Sequence, residues 1–579
     1  MNIVNKIIYL IEKKLRIKVI FLFFLILIGT FLETLSVGIV FPILTLIIEG
    51  KTKLLQILEK FPSFLHDSFK SIEYSDNELV VLFILIITVI FFLKTFFFIF
   101  LTYYQNKFSY EVEYSLSSKM LNLYLNKNYI FHTEKNSSEL FRNVKNEVVV
   151  FRHYILISFL TFFIEILVLM SIVSLIIYLY PIPALTASII ILFLLFILTK
   201  LNKKRLNKIS KERQNYDGYT IQHLNQGLKG IKEIKIFNKE REFLSIFNYY
   251  NLKTVKNLAE QRFWVSITKY ILEFLGLFFF IILFFFSFNK GHDLKVFLPT
   301  AGFIVAAIFK LLPSVNRIVQ SVNNIRFGIP SINTLSNELK IQEKEKNTDN
   351  AILNIPEKFN KINFTNISFS YPKNEKKIFE NLSFEIIKGD KIGILGSSGA
   401  GKSTLIGIIT GLLEPSSGVV TIDDQEVNLI QKKWYKKIGY VPQFIFLIDD
   451  TILRNIAFGS NDIEINKNLI SMSITISELH KFISSCKEGI NTKVGELGGR
   501  ISGGQKQRLG IARAIYSNSE ILIFDEATSA IDLKTEEKII ENITNLKEKT
   551  IILCSHRIST LKNCNKIFEV KEGVINRKK

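Results

Sequence analysis

Nine consecutive residues carry the first clear chemistry in this chain: Gly396, Ser397, Ser398, Gly399, Ala400, Gly401, Lys402, Ser403 and Thr404. A glycine, four residues and then Gly-Lys-Ser is the spacing of a phosphate-binding loop. The preceding run, Lys391-Ile392-Gly393-Ile394-Leu395, reads as a buried strand, and Leu405-Ile406-Gly407-Ile408-Ile409 reads as an apolar helix face. That context lets glycine backbone N–H groups turn inward and cradle phosphate oxygens at a helix N-terminus. Lys402 would reach the β- and γ-phosphates, and Ser403 would hold Mg²⁺. Alone, the loop implies only that a nucleotide binds.

Two further stretches narrow the chemistry. Ile521-Leu522-Ile523-Phe524-Asp525-Glu526 reads as a buried strand ending in two carboxylates. Asp525 would meet Mg²⁺ through water, and Glu526 would polarise a water aimed at the γ-phosphate. Ile501-Ser502-Gly503-Gly504-Gln505 precedes the basic helix start Lys506-Gln507-Arg508. A serine and two glycines at a helix N-terminus make a second anion cradle. One nucleotide rarely needs two cradles in one fold, so this one is expected to serve the nucleotide of a second copy.

These residues must be positioned by a chain of 579 residues, enough for two or three domains. Its hydrophobic fraction is 48%, with 51 phenylalanines, and the apolar runs concentrate in the first 330 positions. Spans long enough to cross a bilayer are expected at 19–48, 79–104, 153–180, 182–200, 262–288 and 296–325. The long segments after the second and fourth spans are basic, including Lys203, Lys204, Arg205, Lys208, Lys211 and Arg213. The 49–78 loop carries more acids than bases. The positive-inside rule therefore puts the N-terminus, both long loops and the C-terminal domain in the cytoplasm. The formal charge of +21 is absorbed by these loops and calls for no nucleic-acid partner. Cys486, Cys554 and Cys564 form no CxxC pair, which fits a reducing compartment and no zinc site. The first apolar run is too long for a cleaved signal and is expected to be retained.

Both long cytoplasmic segments read as helical arms, with turns near Phe131-His132-Thr133 and near Gly230-Ile231-Lys232-Glu233 that would touch a cytoplasmic domain. In loop 49–78, Leu54, Leu55, Leu58 and Phe61 share a helical face, and Phe64, Leu65 and Phe69 resume it after Pro62. An amphipathic helix at the outer membrane surface fits, as does a small helical lid. Glu33, Lys94, Glu165, Lys269, Glu273 and Lys310 lie inside the spans, with Arg317 further along the sixth. Each would cost roughly 2.5–3.5 kcal/mol at mid-membrane, so each is expected to face the bundle interior and a partner. Most should pair structurally. Lys310, flanked by Pro299 and Pro313, is the expected exception.

The polar stretch 335–356 reads as a linker between a transmembrane domain, 1–334, and a nucleotide-binding domain, 357–579. The whole chain resembles ABC transporters of the exporter type. The matching motifs are Gly396–Thr404 (Walker A), Gln443 in Tyr440-Val441-Pro442-Gln443, Ile501–Gln505 (signature) and Ile523–Glu526 (Walker B). Ser529-Ala530-Ile531-Asp532 fits the D-loop, and His556 in Cys554-Ser555-His556-Arg557 fits the switch histidine. Tyr371 in Phe369-Ser370-Tyr371-Pro372 matches the adenine-stacking aromatic, and Val494-Gly495-Glu496 resembles a segment that contacts the opposite subunit's arm. Ile501 and Ile531 each stand where the family usually has Leu. The resemblance implies a six-helix α transmembrane domain fused to an α/β P-loop ATPase domain, in a bacterial inner (plasma) membrane. It implies ATP and Mg²⁺ as cofactors, Ser403, Gln443 and Asp525 around the metal, and Glu526 and His556 as the catalytic pair. Ser502, Gly503, Gly504 and Gln505 would come from the other chain of a homodimer; a heterodimer with a degenerate partner stays open.

Within that family the arrangement resembles lipid-linked oligosaccharide flippases. The likeness rests on Gly230–Lys235 with Asn238-Lys239-Glu240, on the amphipathic 49–78 loop, and on Phe31-Leu32-Glu33. It implies an anionic polyprenyl-diphosphate glycan as substrate, met by Lys310, Lys269 or Arg262. The alternatives are a general lipid or multidrug exporter and, in another class, an ATP-gated channel or regulatory subunit.

Overall fold

The computed structural model describes residues 2–39, 76–179, 202–289, 294–348, 355–372, 376–571 and 573–578, with isolated positions at 43, 46–47, 50, 189, 193 and 195–200. The chain divides into two compact units. One comprises Met1–Lys127 and Lys135–Lys346, the other Asn128–Glu134 and Asn347–Lys579.

The first unit is helical. After a short helix, Ile3–Leu10, come α1 (Lys13–Gly38), α2 (Asp76–Leu125), α3 (Ile157–Leu179), α4 (Lys203–Lys229), α5 (Glu240–Asn289) and α6 (Leu294–Thr348). Among the described residues, Lys13–Gly38, Asn77–Leu125 and Ser137–Tyr178 are long and apolar enough to cross a membrane. At about 1.5 Å per residue, α2 runs to about 75 Å, more than twice a hydrocarbon core of about 30 Å. From Gln105 onward it becomes polar, as a part lying outside the hydrocarbon core must. α5 and α6 cover the fifth and sixth expected spans. The fourth span and the 51–75 part of the outer loop fall largely outside the described residues. A π-helical segment, Phe151–Leu156, leads into α3.

Intramembrane charge is paired where the side chains are described. Lys94 lies 2.8 Å from Glu33 and donates to Ser36 Oγ at 2.9 Å, joining α2 to α1. Arg317 of α6 grips both oxygens of Glu165 of α3, one of them at 3.2 Å. Lys269 and Glu273 sit 3.7 Å apart, both more than half exposed. The side chain of Lys310 lies outside the described set. Below the spans a buried network ties three helical arms together: Arg213 of α4 meets Glu147 at 3.2 Å and Ser331 Oγ of α6 at 3.3 Å.

The expected linker is helical over most of its length. α6 continues through Thr348, and Ile332, Leu335 and Leu339 are buried along it. Their spacing of three and four makes one apolar stripe, and the following Glu/Lys run is a good helix former. High charge alone reads as a linker, but here the backbone stays helical through Thr348.

The expected turn near Phe131 is a short helix, Tyr129–Glu134, and it belongs to the second unit, whose core Ile130 packs against. The turn near Gly230 leads into another short helix, Ile231–Ile236, with Ile231, Ile236 and Phe237 exposed.

The second unit holds two sheets. β1 (Lys361–Phe369), β2 (Phe379–Ile387), β4 (Ser417–Ile422) and β5 (Gln425–Glu426) form an antiparallel sheet in the order β2-β1-β4-β5. The larger sheet uses β3 (Lys391–Leu395), β6 (Ile438–Val441), β7 (Ile521–Asp525), β8 (Thr550–Ser555), β9 (Lys566–Lys571) and β10 (Val574–Arg577) in the order β10-β9-β3-β8-β7-β6. Its central pairs are parallel. Near-continuous Ile/Leu strands such as β7 and β8, buried at every residue, are what a sheet covered on both faces requires.

Candidate nucleotide-binding site

Sheet order brings the chemistry-bearing residues to one edge. Leu395 pairs with Ser555, Asp525 with Cys554, and Val441 with Phe524. The carboxyl ends of β3, β8, β7 and β6 therefore lie side by side. From those ends emerge the glycine loop, His556, Asp525-Glu526 and Gln443. In open parallel α/β sheets this is the edge where ligands bind.

The loop 396–401 feeds α7 (Lys402–Ile409). Gly399 and Gly401 have φ of +81° and +103°, conformations that side chains with a Cβ rarely adopt. This turns the loop over the N-terminus of α7. Lys402 is buried, and its Nζ donates to the carbonyls of Gly396 at 2.8 Å and Ser397 at 3.0 Å. It also lies 3.3 Å from Glu526. Glu526 itself stands at φ +49°, left-handed backbone that costs on the order of 1 kcal/mol for a non-glycine residue. Its other oxygen accepts from Gln443 Nε2 at 2.9 Å. Lys402, Gln443 and Glu526 thus form one contact set.

Asp525 is buried, bonded to the Ser403 hydroxyl and approached by Tyr440 Oη at 3.5 Å. Burial, and then the adjacent Glu526 charge, push its carboxyl above the usual aspartate range. Burial beside Asp525 pushes the Tyr440 phenol up as well. A hydroxyl, a carboxylate and an amide oxygen are hard donors, and two neighbouring carboxylates need positive charge. This donor set fits Mg²⁺.

Tyr371 is half-buried at the edge of the site. Its hydroxyl meets Thr404 Oγ1 at 3.2 Å, and its ring sits edge-on to Phe369 at 5.0 Å. His556 is exposed.

The second cradle is a well-formed helix start. Ser502 caps α8 (Gly503–Tyr516): its hydroxyl accepts from Gln505 N at 3.3 Å, while Gln505 Oε1 accepts from Ser502 N at 2.8 Å. This reciprocal box leaves the N–H groups of Gly503 and Gly504 at the helix tip. Gly504 has a second duty, since a Cβ there would come within 2.9 Å of the Ala530 carbonyl. Behind it, buried Gln507 accepts from Ala530 N at 2.7 Å and donates to Ser529 Oγ at 3.0 Å. The 529–532 loop is thereby fastened to the signature helix.

Motif spacing missed Tyr440, Gln507 and Glu536. Strand alternation on β6 could have flagged Tyr440, which lies between buried Gly439 and Val441 and whose hydroxyl reaches Asp525 of β7. The others declare themselves only as polar side chains buried among partners far away in sequence.

Known proteins share this plan. The family described as "ABC transporter transmembrane region" matches residues 19–293, and that described as "ABC transporter" matches residues 379–529. The alpha-hemolysin translocation ATP-binding protein HlyB of Escherichia coli O157:H7 is 36% identical over 286 residues, 49% of this chain and 39% of that protein. The leukotoxin export ATP-binding protein LtxB of Aggregatibacter actinomycetemcomitans is 35% identical over 285 residues, again 49% and 39%. The match therefore spans well under two thirds of these relatives' own length. Among solved structures, a bacterial Atm1-family ABC exporter with ATP bound superposes with a TM-score of 0.77 at 19% identity, covering 97% of this chain and 95% of that one. A transmembrane region followed by this nucleotide-binding fold places the chain in the ABC transporter family, in its exporter-type arrangement.

Proposed function

We propose that the chain is one half of an ATP-driven exporter, in which two copies close on two ATP molecules and reopen after hydrolysis. The observation that carries this reading is the convergence of Lys402, Ser403, Gln443, Asp525 and Glu526 on one sheet edge. A second anion-binding helix start, Ser502–Gln505, stands ready on the same domain. Tyr371 stacks on the adenine, and the 396–401 backbone and Lys402 hold the phosphates. Ser403, Gln443 and Asp525 would hold Mg²⁺, which would supply neutralisation of phosphate charge. Glu526, beside Gln443, takes the proton of the attacking water, and His556 orients Glu526 against the γ-phosphate. Ser502, Gly503, Gly504 and Gln505 of the second copy cover the phosphates from the opposite side. An intact Glu526 is a group that a pure regulatory subunit would not need.

The transported molecule, on this reading, is an anionic lipid-linked oligosaccharide carried from the cytoplasmic to the outer leaflet of a bacterial inner membrane. A cavity of about 670 Å³ among the spans supports it. Phe98, Ile99, Ile164 and Val168 give it apolar walls, and Lys94 and Arg317 line it. The acids there are covered, Glu33 to 4% and Glu165 to 9% exposure, whereas Arg317 is 44% exposed. Each of these bases is paired with an acid, and Arg317 is the charged group most open to a ligand. The relatives named for hemolysin translocation and leukotoxin export favour a second reading, a polypeptide cargo.

Reconstituted vesicles separate the two. Arg317→Ala and Lys310→Ala should each slow flipping of a fluorescent polyprenyl-diphosphate glycan at least about 10-fold, the effect of losing one charged hydrogen bond of about 1.5–3 kcal/mol. Basal ATPase should stay within about two-fold, the scatter expected of a site remote from the hydrolytic residues. Unchanged flipping in both variants, or no flipping by the wild type, would discard the glycan-lipid reading.

A further inference from the structure

Glu536 is a glutamate buried to 5% exposure in the first turn of α9 (Leu533–Thr544). Glutamates are rarely buried unless paired, and this one binds three side chains from two other segments. Its Oε1 accepts from Thr528 Oγ1 at 2.7 Å and from Thr560 Oγ1 at 3.0 Å. Its Oε2 accepts from Arg557 at 3.2 Å. Thr528 lies two residues beyond Glu526, and Arg557 directly follows His556. Both threonine hydroxyls are buried with it.

Strands β7 and β8 pair as far as Asp525, and Glu526 N still donates to the Cys554 carbonyl at 3.1 Å. Beyond these ends the two segments diverge, one into the 526–532 loop and the other into the 556–561 turn. The Glu526 side chain is held by Lys402 and Gln443, whereas His556 is exposed and has no comparable packing to fix it. Glu536 is the carboxylate that rejoins the two segments. Its own place is secured by the N-cap Asp532, which accepts from Thr535 N at 3.1 Å, and its charge is favoured at a helix N-terminus.

We propose that Glu536 is a positioning residue for ATP hydrolysis, holding the Glu526 segment and the His556 segment in one register. It acts through those two residues. The inference rests on the hydrolytic roles given above to Glu526 and His556.

The test uses the full-length protein in lipid, with turnover normalised to nucleotide-binding sites so that unfolded protein does not count. Glu536→Ala should lower kcat about 10-fold or more, as a misplaced catalytic pair does, and leave the KM for ATP within about two-fold of wild type. Glu536→Gln keeps an acceptor for both threonines and should recover most of that loss. The double variant Glu536→Ala/His556→Ala should be no slower than His556→Ala alone, because both disable the same contact. A kcat for Glu536→Ala within two-fold of wild type would overturn the inference. So would losses that multiply in the double variant. If Glu536→Ala does not fold, Thr560→Val, which removes one hydroxyl, is judged by the same kcat/KM split and the same double variant. Full turnover by His556→Ala itself would overturn the hydrolytic reading as well, which distinguishes the two failures.

Discussion

Glu526→Gln should bind ATP with near wild-type affinity yet hydrolyse it at least about 100-fold more slowly. General-base catalysis is worth about 10²–10⁴ in rate, and the amide cannot accept the proton of the attacking water. The exchange is nearly isosteric, so the left-handed turn at position 526 and the contact with Gln443 can persist. The lost charge weakens the 3.3 Å pair with Lys402, which frees that lysine for phosphate and does not oppose binding. On the proposed cycle, in which hydrolysis reopens the clamp, the variant should also accumulate as ATP-bound dimers. Equilibrium binding of a fluorescent ATP analogue beside a phosphate-release assay separates the two effects. Turnover within a few-fold of wild type would remove Glu526 from the base role.

Lys402→Ala should give the opposite pattern, with loss at the binding step. The ammonium is buried and already directed by two loop carbonyls, so it meets phosphate with little reorganisation. A charged hydrogen bond in such a place contributes about 1.5–3 kcal/mol, which corresponds to about a 10- to 100-fold weaker ATP affinity. Hydrolysis should fall below detection at ATP concentrations that saturate the wild type. The substitution also leaves Glu526 without its cationic neighbour. Thermal unfolding without nucleotide should therefore shift by no more than a few degrees if the defect is confined to the site. Unchanged affinity would mean that the loop backbone alone holds the phosphates.

The nucleotide site was legible in sequence because its chemistry is local. The glycine loop, the Asp525-Glu526 strand end and the Ser502–Gln505 helix start each declare an element type and a role within ten residues. Only the sheet order, which sets β3, β8, β7 and β6 side by side, had to come from the fold. Glu536 was not legible, since its meaning depends on Thr528 arriving from one segment and Arg557 and Thr560 from another. Gln507 escaped notice for the same reason. In the membrane half, the cost of burying charge announced that Glu33, Lys94, Glu165 and Arg317 need partners. It could not say that α1 pairs with α2 and α3 with α6. The 335–348 stretch misled because charge density looks alike in a linker and on the solvated face of a helix. The buried Leu335 and Leu339 decide between them.

One cross-linking measurement bears most directly on the shared clamp. Cysteines are placed at Ser398 in the phosphate loop and at Ser502 at the signature helix, with Cys486 replaced and the buried Cys554 and Cys564 retained. In Glu526→Gln protein held in lipid, a short bifunctional reagent should link the two positions between chains when ATP is added and should not do so without it. Links formed within a single chain, or between chains at the same yield with and without ATP, would contradict a site built from two copies.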